Sequence, residues 1–394
     1  MTGGESPHSG GATGALSGLR VADFTRVLAG PYATMLLGDL GADVIKIERP
    51  DSGDDTRAWG PPFGPDGMST YFAGVNRNKR SVTLDLARPE DTLIAQRLVR
   101  TADIVIENFR TGVMDRLGLG YDEMVADNPR LIYCSITGFG SQDGADLPGY
   151  DLVVQAVGGL MSVTGPDAQH PSKAGVAVVD IFTGLHACIG ILSAVQHRAV
   201  SGRGQHIEVN LMSSLLSAMV NLSSGYLGAG VVPTSVGNGH PSIAPYDLYE
   251  TADRPMIIAV GNDRQFRALC GILEAPELAD DPRFADNTSR VTSRSVLDEH
   301  LNARLRGASA DTWQRLLSEA GVPCGPVNSM AQAFALAESL NLGSVVQPPT
   351  GIPQAAHPIR LSETPPTYRL GPPLLGDVNP ASVDWLTSPG SAEG

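Results

Sequence analysis

Short apolar segments alternate with segments of helical periodicity from residue 18 onward, and this alternation restricts the possible folds more than any other feature of the chain. Two segments typical of buried strands, "GLRVADF" and "ADVIKIE", flank "PYATMLLGDLG", which predicts a helix with Pro31 at its first position and Gly41 at its end. A strand, a helix and a strand within about 30 residues form the unit of a parallel sheet with a right-handed crossover. The series continues with "SVTLDL", "RPEDTLIAQRLVRTA", "DIVIENF" and "RLIYCSITGF". It predicts an α/β fold with a doubly wound parallel sheet.

A change of composition near residue 220 predicts a second, smaller α+β domain. Residues 221–245 are rich in Gly, Pro and Ser, which predicts a linker and an active-site loop. After them, "YDLYETADRPMIIAVGN" predicts a hairpin that turns at "ADRP", and residues 264–317 have helical patterns. We therefore expect a disordered tail at 1–14, a large domain at 15–220, the linker and loop at 221–245, the small domain at 246–345, and a C-terminal segment at 346–394 that returns to the large domain.

Charge and composition exclude several classes of protein. The chain has 394 residues and a formal net charge of −14, so a nucleic-acid surface, which depends on clustered Lys and Arg, is not expected. The four cysteines form no C-x-x-C pair, which favours a reducing compartment over disulfides or a zinc ribbon. The first residues lack the regions of a signal peptide, and the most apolar long segment, Leu211 to Val232, is interrupted by polar residues. We expect a cytoplasmic protein that does not bind a membrane.

Several common catalytic and cofactor motifs are missing from the sequence. It contains no G-x-S-x-G, H-E-x-x-H or G-x-x-x-x-G-K-[ST] motif, and no metal site is expected. The segment "GFGSQDG" follows a predicted strand, but it has one residue too many before its last glycine and leads to Pro148 instead of a helix. It is therefore a poor match to a dinucleotide-binding motif.

Basic residues cluster near predicted strands, which is unusual in an acidic chain. Arg49 follows the second strand, Arg110 and Arg116 follow "DIVIENF", and "RNKR" at 77–80 lies beside the start of another strand. Open α/β sheets bind ligands outside the carboxyl ends of their strands. Each cation taken alone is best explained as solvated charge, but their shared placement predicts an anionic ligand.

Asp180 lies where a short apolar segment runs into a helical pattern, in "AGVAVVDIFTGLHACIG". An aspartate before an apolar periodic segment is most often a helix N-cap, so this is the first interpretation of Asp180. Gly184 does not fit that interpretation easily, because a glycine in the first turn of a helix costs roughly 0.5–1 kcal/mol relative to alanine. We expect it to allow a ligand to approach the backbone closely.

Taken together, a set of ordered segments resembles the family III CoA-transferases of the formyl-CoA transferase and carnitine CoA-transferase type. The resemblance covers residues 15 to about 380. The matching segments are "DFTRVLAGPYATMLLGDLGADVIKIERPDSGDDTR", "YFAGVNRNKRSVTLDL", "ADIVIENFRTGVMDRLGLGYD", "PGYDLVVQAVGGLMSVTG", "GVAVVDIFTGLHA", "GNGHPSIAPY" and "GVPCGPV".

The resemblance implies a fold, an assembly and a set of site residues. It implies a large Rossmann-like domain built from both ends of the chain, a smaller domain between them, and an interlocked homodimer. The family's nucleophilic aspartate falls on Asp180. The family's CoA contacts fall on Val27, Arg49, Leu84, Asn108, Phe109 and Arg116.

The implied chemistry transfers CoA from an acyl-CoA thioester to a free carboxylic acid, with coenzyme A as a substrate and no permanently bound cofactor. With a reference pKa of about 4, Asp180 is expected to be ionised at neutral pH and to attack the thioester without a general base or a metal. The products would be a mixed anhydride and then an enzyme-CoA thioester. Because such intermediates hydrolyse easily, "GNGHPSIAPY" with Gly239 and His240 is the expected lid and substrate contact. His240 could equally serve as a hydrogen-bonding residue of the loop.

Two alternatives remain open from the sequence. The related α-methylacyl-CoA racemases use a histidine where this chain has Tyr150, and tyrosine, with a reference pKa of about 10, is a poor base, which favours the transferase. The second alternative is a CoA- or nucleotide-binding protein without turnover. Leu28 replaces a glutamine of formyl-CoA transferase, which argues against an oxalate/formate enzyme and suggests larger dicarboxylates.

Overall fold

The computed structural model describes residues 14–387, in which the predicted alternation forms a six-stranded parallel sheet. The strand order is β3-β2-β1-β4-β5-β6, and every neighbouring pair is parallel. The predicted α/β fold is confirmed, whereas the tail predicted at 1–14 lies outside the described residues except for Gly14. The strands are β1 (Arg20–Asp23), β2 (Asp43–Glu48), β3 (Lys79–Thr83), β4 (Ile104–Glu107), β5 (Ile132–Thr137) and β6 (His206–Asn210).

Apolar cores cover both faces of this sheet. Successive residues of β1 point to opposite faces, since Val21 packs in one core and Ala22 in the other. The C-terminal segment completes the second core with Trp385, whose indole N–H donates to Asp43 Oδ2 at 2.7 Å. The helices of this unit are α1 (Ala29–Asp39), α2 (Thr70–Ala73), α3 (Pro89–Thr101), α4 (Val113–Arg116), α5 (Tyr121–Asp127), α6 (Asp151–Val157), α7 (Val178–Ser201), α8 (Leu211–Ala218), α9 (Val220–Ala229) and α16 (Asp384–Thr387).

Two compact units divide the chain, and the larger contains residues from 1–160, 174–230 and 343–394. The smaller unit contains 161–173 and 231–342. The sequence placed 161–173 in the large domain and a linker at 221–245, whereas 161–173 pack within the small unit and α9 occupies 220–229. The predicted linker therefore begins with a regular helix, despite its content of Gly and Ser.

The small unit has an antiparallel sheet in the order β7-β8-β9 and its own apolar core. The predicted hairpin is present as β7 and β8, joined by 250–255. The elements are β7 (Tyr246–Tyr249), β8 (Met256–Ala259), β9 (Cys324–Pro326), α10 (Asp263–Ile272), α11 (Pro276–Asp280), α12 (Asn287–Thr292), α13 (Arg294–Leu305), α14 (Ala310–Glu319) and α15 (Met330–Ser339). Two short strands of the large unit, β10 (Val345–Val346) and β11 (Gln354–Ala355), pair with each other. Turns of 3-10 helix occur in the large unit at Asp55–Ala58 and Pro380–Ser382, and in the small unit at Met161–Val163.

Helix α7 is the central helix of the large unit. It packs against α1, β5 and β6, and Gly202 in left-handed conformation ends it. Among the described residues it is the one helix long and apolar enough to cross a membrane, a property that core helices of soluble proteins share. Helix α1 begins at Ala29, so Pro31 is its third residue and not its first as predicted, which is tolerated because the first-turn N–H groups have no partner within the helix.

Candidate active site

The strand order reverses between β1 and β4, and a cavity of about 420 Å³ lies beyond the carboxyl ends of these two strands. This is the position at which doubly wound sheets bind ligands. Its walls come from the loops after β1, β4 and β5 and from the start of α7, and we call it the first cavity. The first cavity brings together the predicted site residues Val27, Leu28, Asn108, Phe109, Tyr150 and Asp180.

Asp180 is the carboxylate of the first cavity, and it is not a helix cap. Helix α7 begins at Val178 after Ala177, so Asp180 is the third helical residue, inside the first turn. The N-cap interpretation of the sequence is therefore wrong. The reason is that the cap of this helix comes from another element.

Asp151, the first residue of α6, supplies that cap. Its Oδ2 accepts the backbone N–H groups of Val179 at 2.8 Å and of Asp180 at 3.1 Å. Its Oδ1 accepts the side-chain amide of Gln155, whose Oε1 in turn accepts the N–H of Ala174 at 2.8 Å. A buried carboxylate from α6 thus satisfies two N–H groups that the first turn of α7 leaves open.

The charge state of Asp180 differs from the one expected from the sequence. Burial, followed by the charge of Asp151, raises the pKa of Asp180 from 3.8 to about 7. The same two carboxylates act on Tyr71 of α2. Burial, followed by the charges of Asp180 and Asp151, raises the pKa of Tyr71 to about 12. Asp180 therefore titrates in the neutral range and is not fully ionised at pH 7 as a reference pKa implies.

Gly184 serves helix packing. It is the seventh residue of α7, not a residue of the first turn, and an added Cβ would lie 2.6 Å from the carbonyl oxygen of Ala29 in α1. The glycine thus lets α7 approach the backbone of α1. The expectation that it admits a ligand was wrong.

The loop after β1 is held in an unusual conformation at the wall of the first cavity. Val27 has a φ of 70°, in the left-handed region that β-branched residues rarely adopt. Asn108 accepts the Arg26 N–H at 2.9 Å and donates to the Arg26 carbonyl at 2.8 Å, and Asp54 Oδ1 accepts the Val27 N–H at 3.2 Å. The amide of Asn108 therefore holds the loop, in addition to lining the cavity.

A second cavity, of about 340 Å³, contains the predicted Arg49 and Leu84. Arg26 and Phe109 line both cavities. In the structure Asp55 pairs with two arginines, through Oδ2 with Arg26 and through Oδ1 with Arg49, each at 3.0 Å. Arg49, a predicted CoA contact, thus shares one carboxylate with Arg26, a residue that the sequence did not single out.

Other predicted residues lie elsewhere. Arg116, at the end of α4, is exposed and is not among the residues that line the first or the second cavity. Gly239 and His240 belong to the small unit, where the His240 Nδ1 accepts the N–H of Ser242 at 3.1 Å and its ring lies 5.3 Å from that of Tyr246. His240 thus has the hydrogen-bonding role in its own loop that the sequence left open.

None of residues 77–80 lines the first or the second cavity. Arg77 and Lys79 are buried and pair with Asp39 at 2.6 Å and with Asp23, the last residue of β1, at 3.1 Å, while Arg80 pairs with Asp43 at the start of β2. The sequence interpretation of this segment as ligand-binding was wrong, because these cations are used in ion pairs within the large unit, and such partners are not visible in local sequence.

Besides Asp180, the site has carboxylates that the sequence did not single out. Asp54 and Asp55 stand in "GDDTR" and Asp151 stands in "GYD", within segments that carry the family resemblance. The signals for them are a carboxylate directly before a helical pattern, as in Asp151, and two adjacent acids close to Arg49. Neither signal shows which group the carboxylate contacts.

The fold places a cavity with one carboxylate, Asp180, at the switch point of a parallel sheet, the position at which doubly wound α/β proteins bind ligands. The sequence profile of CoA-transferase family III matches residues 16–379, so the chain belongs to that family and is a CoA-transferase. It is 46% identical to the succinate–glutarate CoA-transferase of Agrobacterium fabrum, over 92% of this chain and 93% of that one.

Two further proteins share the sequence or the fold over nearly their whole length. The acetyl-CoA:oxalate CoA-transferase of Acetobacter aceti is 40% identical, over 95% of this chain and 97% of that one. The crystal structure of a CAIB/BAIF family protein from Brucella suis has a TM-score of 0.86 and 44% identity, over 92% of this chain and 97% of that one. The predicted family is confirmed.

Proposed function

We propose that this CoA-transferase moves CoA between dicarboxylic acids through covalent intermediates on Asp180. The observation that carries the proposal is the Asp180 carboxylate in the wall of the cavity that also contains Val27, Asn108 and Phe109, positions at which the family resemblance implies CoA contacts. Arg26 and Phe109 continue from this cavity into the second, where Arg49 lies. An extended acyl-CoA has room for its acyl end beside Asp180 and its phosphates beside Arg49.

The proposed steps form and break one bond to carbon at a time. Asp180 attacks the thioester carbonyl, the C–S bond breaks, and CoA thiolate leaves behind a mixed anhydride. The thiolate then attacks the aspartyl carbonyl and displaces the donor carboxylate, which gives an enzyme-CoA thioester. An acceptor carboxylate reverses both steps, so no water, metal or net proton is consumed.

The dicarboxylate class rests on two supports. Relatives of this chain carry names with dicarboxylic acids, succinate and glutarate in one and oxalate in the other. Within this chain, Arg110 lines the first cavity, and its guanidinium forms no ion pair with the described residues. A free cation beside the acyl end favours an acid with a second carboxylate.

Exposed apolar side chains support a second part of the proposal, that two copies form a homodimer. Helix α9 has no buried residue, and its Leu227 is 82% exposed. Helix α7 exposes Leu185, Ile189 and Leu192 on one face. Apolar surface of this extent is typical of protein interfaces. We propose an interlocked arrangement, as the family resemblance implies, and a cytoplasmic location, which the spacing of the cysteines favours.

Intact-protein mass spectrometry tests the covalent mechanism. After incubation with succinyl-CoA, the wild type should gain the mass of CoA less one water, and hydroxylamine should remove the adduct. Asp180→Ala should gain nothing. Glu319→Ala, which removes an exposed carboxylate of the small unit that pairs with Arg315, should behave as the wild type.

Two results would contradict the proposal. An adduct of the same mass on Asp180→Ala would place the nucleophile elsewhere. Deuterium uptake at the α-carbon of a 2-methylacyl-CoA in D₂O, without an acceptor acid, would instead indicate the racemase reaction.

Acceptor assays test the dicarboxylate class. Rates with oxalate, succinate and glutarate are compared with rates with acetate and butyrate, and equal rates with both groups would contradict the proposed class.

A further inference from the structure

Asp151, which contacts the start of the helix that carries the nucleophile, has no role in the steps proposed above. It is buried, it belongs to α6, and its Oδ2 accepts the backbone N–H groups of Val179 and Asp180. Two carboxylates therefore meet at the start of α7: one accepts the N–H groups there, and the other, Asp180, lines the cavity. Only one of them can benefit fully from the positive end of the helix.

We propose that Asp151 is a positioning residue for Asp180. Asp151 fixes the first turn of α7, and its charge keeps Asp180 partly protonated until substrate is bound. The inference rests on the proposed function, because it assigns Asp151 a task in the attack by Asp180. It adds a residue, and a reason for the pH dependence of the reaction, to that function.

The first part of the argument is geometric. The N–H groups of Val179 and Asp180 are both accepted by one oxygen atom, so the backbone that carries the nucleophile is anchored at its own amide. Gln155 fixes the other oxygen and also accepts the N–H of Ala174, the residue at which the chain re-enters the large unit. A carboxylate held this way cannot turn away without leaving buried donors unpaired.

The second part is electrostatic. After burial, Asp151 is the group that raises the pKa of Asp180, and like charges that share a site behave in this way. Titratable groups near this end of α7 include Tyr71 of α2, Tyr32 of α1, which lies beside Gly184, and His186 of α7, which bonds to Ser214 of α8. Tyr150, Arg26 and Arg110 line the first cavity together with Asp180. The pKa values of Tyr71 and Tyr32 are raised, so these two tyrosines are neutral when Asp180 titrates.

A site whose carboxylate is partly protonated suits the substrate. The acyl-CoA carries several negative charges, and a fully ionised Asp180 would add to the repulsion that the ligand meets on entry. Attack on the thioester carbonyl needs the ionised carboxylate, so the proton of a protonated Asp180 must first pass to solvent water. The rate of adduct formation is therefore expected to rise with pH through the titration of Asp180.

The test uses the double variant Asp151→Asn/Gln155→Glu and, for hydrogen exchange, Asp151→Ala. Asp151→Asn alone is unsuitable, because the introduced amide would face the amide of Gln155, donor against donor. In the double variant the carboxylate introduced by Gln155→Glu accepts from that introduced amide and still accepts from the N–H of Ala174. The double variant therefore keeps each hydrogen bond and moves the charge one side chain farther from Asp180. Asp286→Asn, the same exchange at the N-cap of α12 in the small unit, controls for the loss of a capping carboxylate.

Two measurements are made. The pH profile of the single-turnover rate of adduct formation with succinyl-CoA should move by about one unit to lower pH in the double variant, so that about five times more Asp180 is ionised at pH 6. Asp286→Asn should leave the midpoint unchanged. Amide hydrogen exchange at Val179 and Asp180, which needs no activity, should be faster in Asp151→Ala than in the wild type.

The outcomes separate the two proposals. The role assigned to Asp151 is overturned if the rate of adduct formation in the double variant falls by the same factor at every pH, with no movement of the pH midpoint. It is also overturned if the amides of Val179 and Asp180 keep their protection against hydrogen exchange in Asp151→Ala. If the wild type itself forms no adduct while the amides of Asp151→Ala lose protection, the covalent mechanism fails and the anchoring by Asp151 stands.

Discussion

The carboxylates of Asp180 and Asp151 lie together at the start of α7, and the charge of Asp151 raises the pKa of Asp180. This raised pKa has a consequence for the stability of the protein. A carboxylate whose pKa is raised to about 7 binds a proton more tightly when the protein is folded than when it is unfolded. Between its ordinary value of 3.8 and 7, raising the pH therefore removes stability. Above pH 7 the whole penalty for the charged Asp180 is present.

Replacing Asp180 with asparagine should stabilise the protein at alkaline pH and have little effect in acid. The asparagine carries no charge, so the penalty at pH 8 disappears; we expect a gain on the order of 1–2 kcal/mol after allowing for partial exposure of the site. Urea unfolding of Asp180→Asn and wild type at pH 5 and pH 8 checks this. An equal stability difference at both values would contradict the raised pKa.

Asp55 gives a second prediction at the scale of single residues. It pairs with Arg26 and Arg49, and all three side chains are well exposed, so the pairs are worth only about 0–1 kcal/mol each. CoA phosphates that bind these arginines must displace Asp55 and meet its negative charge. Asp55→Asn should therefore lower the dissociation constant of CoA about two- to fivefold.

Calorimetric titration at low and high salt measures that change. The gain should shrink as salt screens the charges. Asp51→Asn is the matched control, because Asp51 is exposed on the same segment, in a left-handed conformation that asparagine tolerates. Weaker binding by Asp55→Asn would mean that Asp55 orients the arginines for the ligand instead of competing with it.

Helices α1 and α7 form the element contact on which the position of Asp180 depends. Gly184 brings α7 against the backbone of α1, because a Cβ there would lie 2.6 Å from the Ala29 carbonyl oxygen. Ala29 begins α1, directly after the Val27–Leu28 wall of the first cavity. A change in this contact therefore moves both Asp180 and the cavity wall.

Gly184→Ala should lower stability, although alanine is the better helix former. Its intrinsic gain of about 0.8–1 kcal/mol is outweighed by overpacking against a backbone atom, which typically costs about 1–3 kcal/mol. The rate of adduct formation on Asp180 should fall as well. Gly271→Ala is the control, since Gly271 lies in α10 with nothing within 4 Å of an added Cβ, and it should be neutral or stabilising. A Gly184→Ala protein as stable as Gly271→Ala would contradict the packing role.

The elements themselves were largely predictable from the sequence, and the failures have physical causes. Strands β1, β2, β4 and β5 are buried and largely apolar, so their pattern was evident, whereas β3, "KRSVT", begins with two cations, two residues before the predicted "SVTLDL". Strand β6, "HIEVN", is a partly exposed strand at the sheet edge and has no such pattern. Pairing with β5 defines it, and that pairing is not visible in local sequence.

The site was predictable to the extent that it depends on family motifs. The position of Asp180 in a ligand cavity agrees with the expectation, but its charge state does not, because a reference pKa assumes a solvated group. The identity of its partner Asp151 depends on a contact across 28 residues. Likewise, Arg77 and Lys79 resembled ligand cations until the structure showed the buried carboxylates Asp39 and Asp23 beside them.

At the scale of the whole molecule, the chain leaves the large unit and returns to it. Residues 161–173 and 231–342 form the small unit, and the C-terminal segment closes an apolar core of the large one with Val383 and Trp385. Such a path makes the two ends of the chain interdependent for folding. It also leaves apolar helix faces uncovered within the large unit, notably on α7 and α9.

The exposed face of α7 gives the last prediction. Leu185, Ile189 and Leu192 are spaced four and three residues apart, so they lie on one face of the helix, and Ile189 is 61% exposed. If this face is covered by a second copy, Ile189→Asp places a charge in an apolar interface and should convert a dimer into a monomer in sedimentation velocity at micromolar concentration. Leu93→Asp is the control, because Leu93 is 59% exposed on α3 and should leave the dimer intact. A dimer that survives Ile189→Asp, or a wild type that sediments as a monomer, would show that another surface, or none, joins two chains.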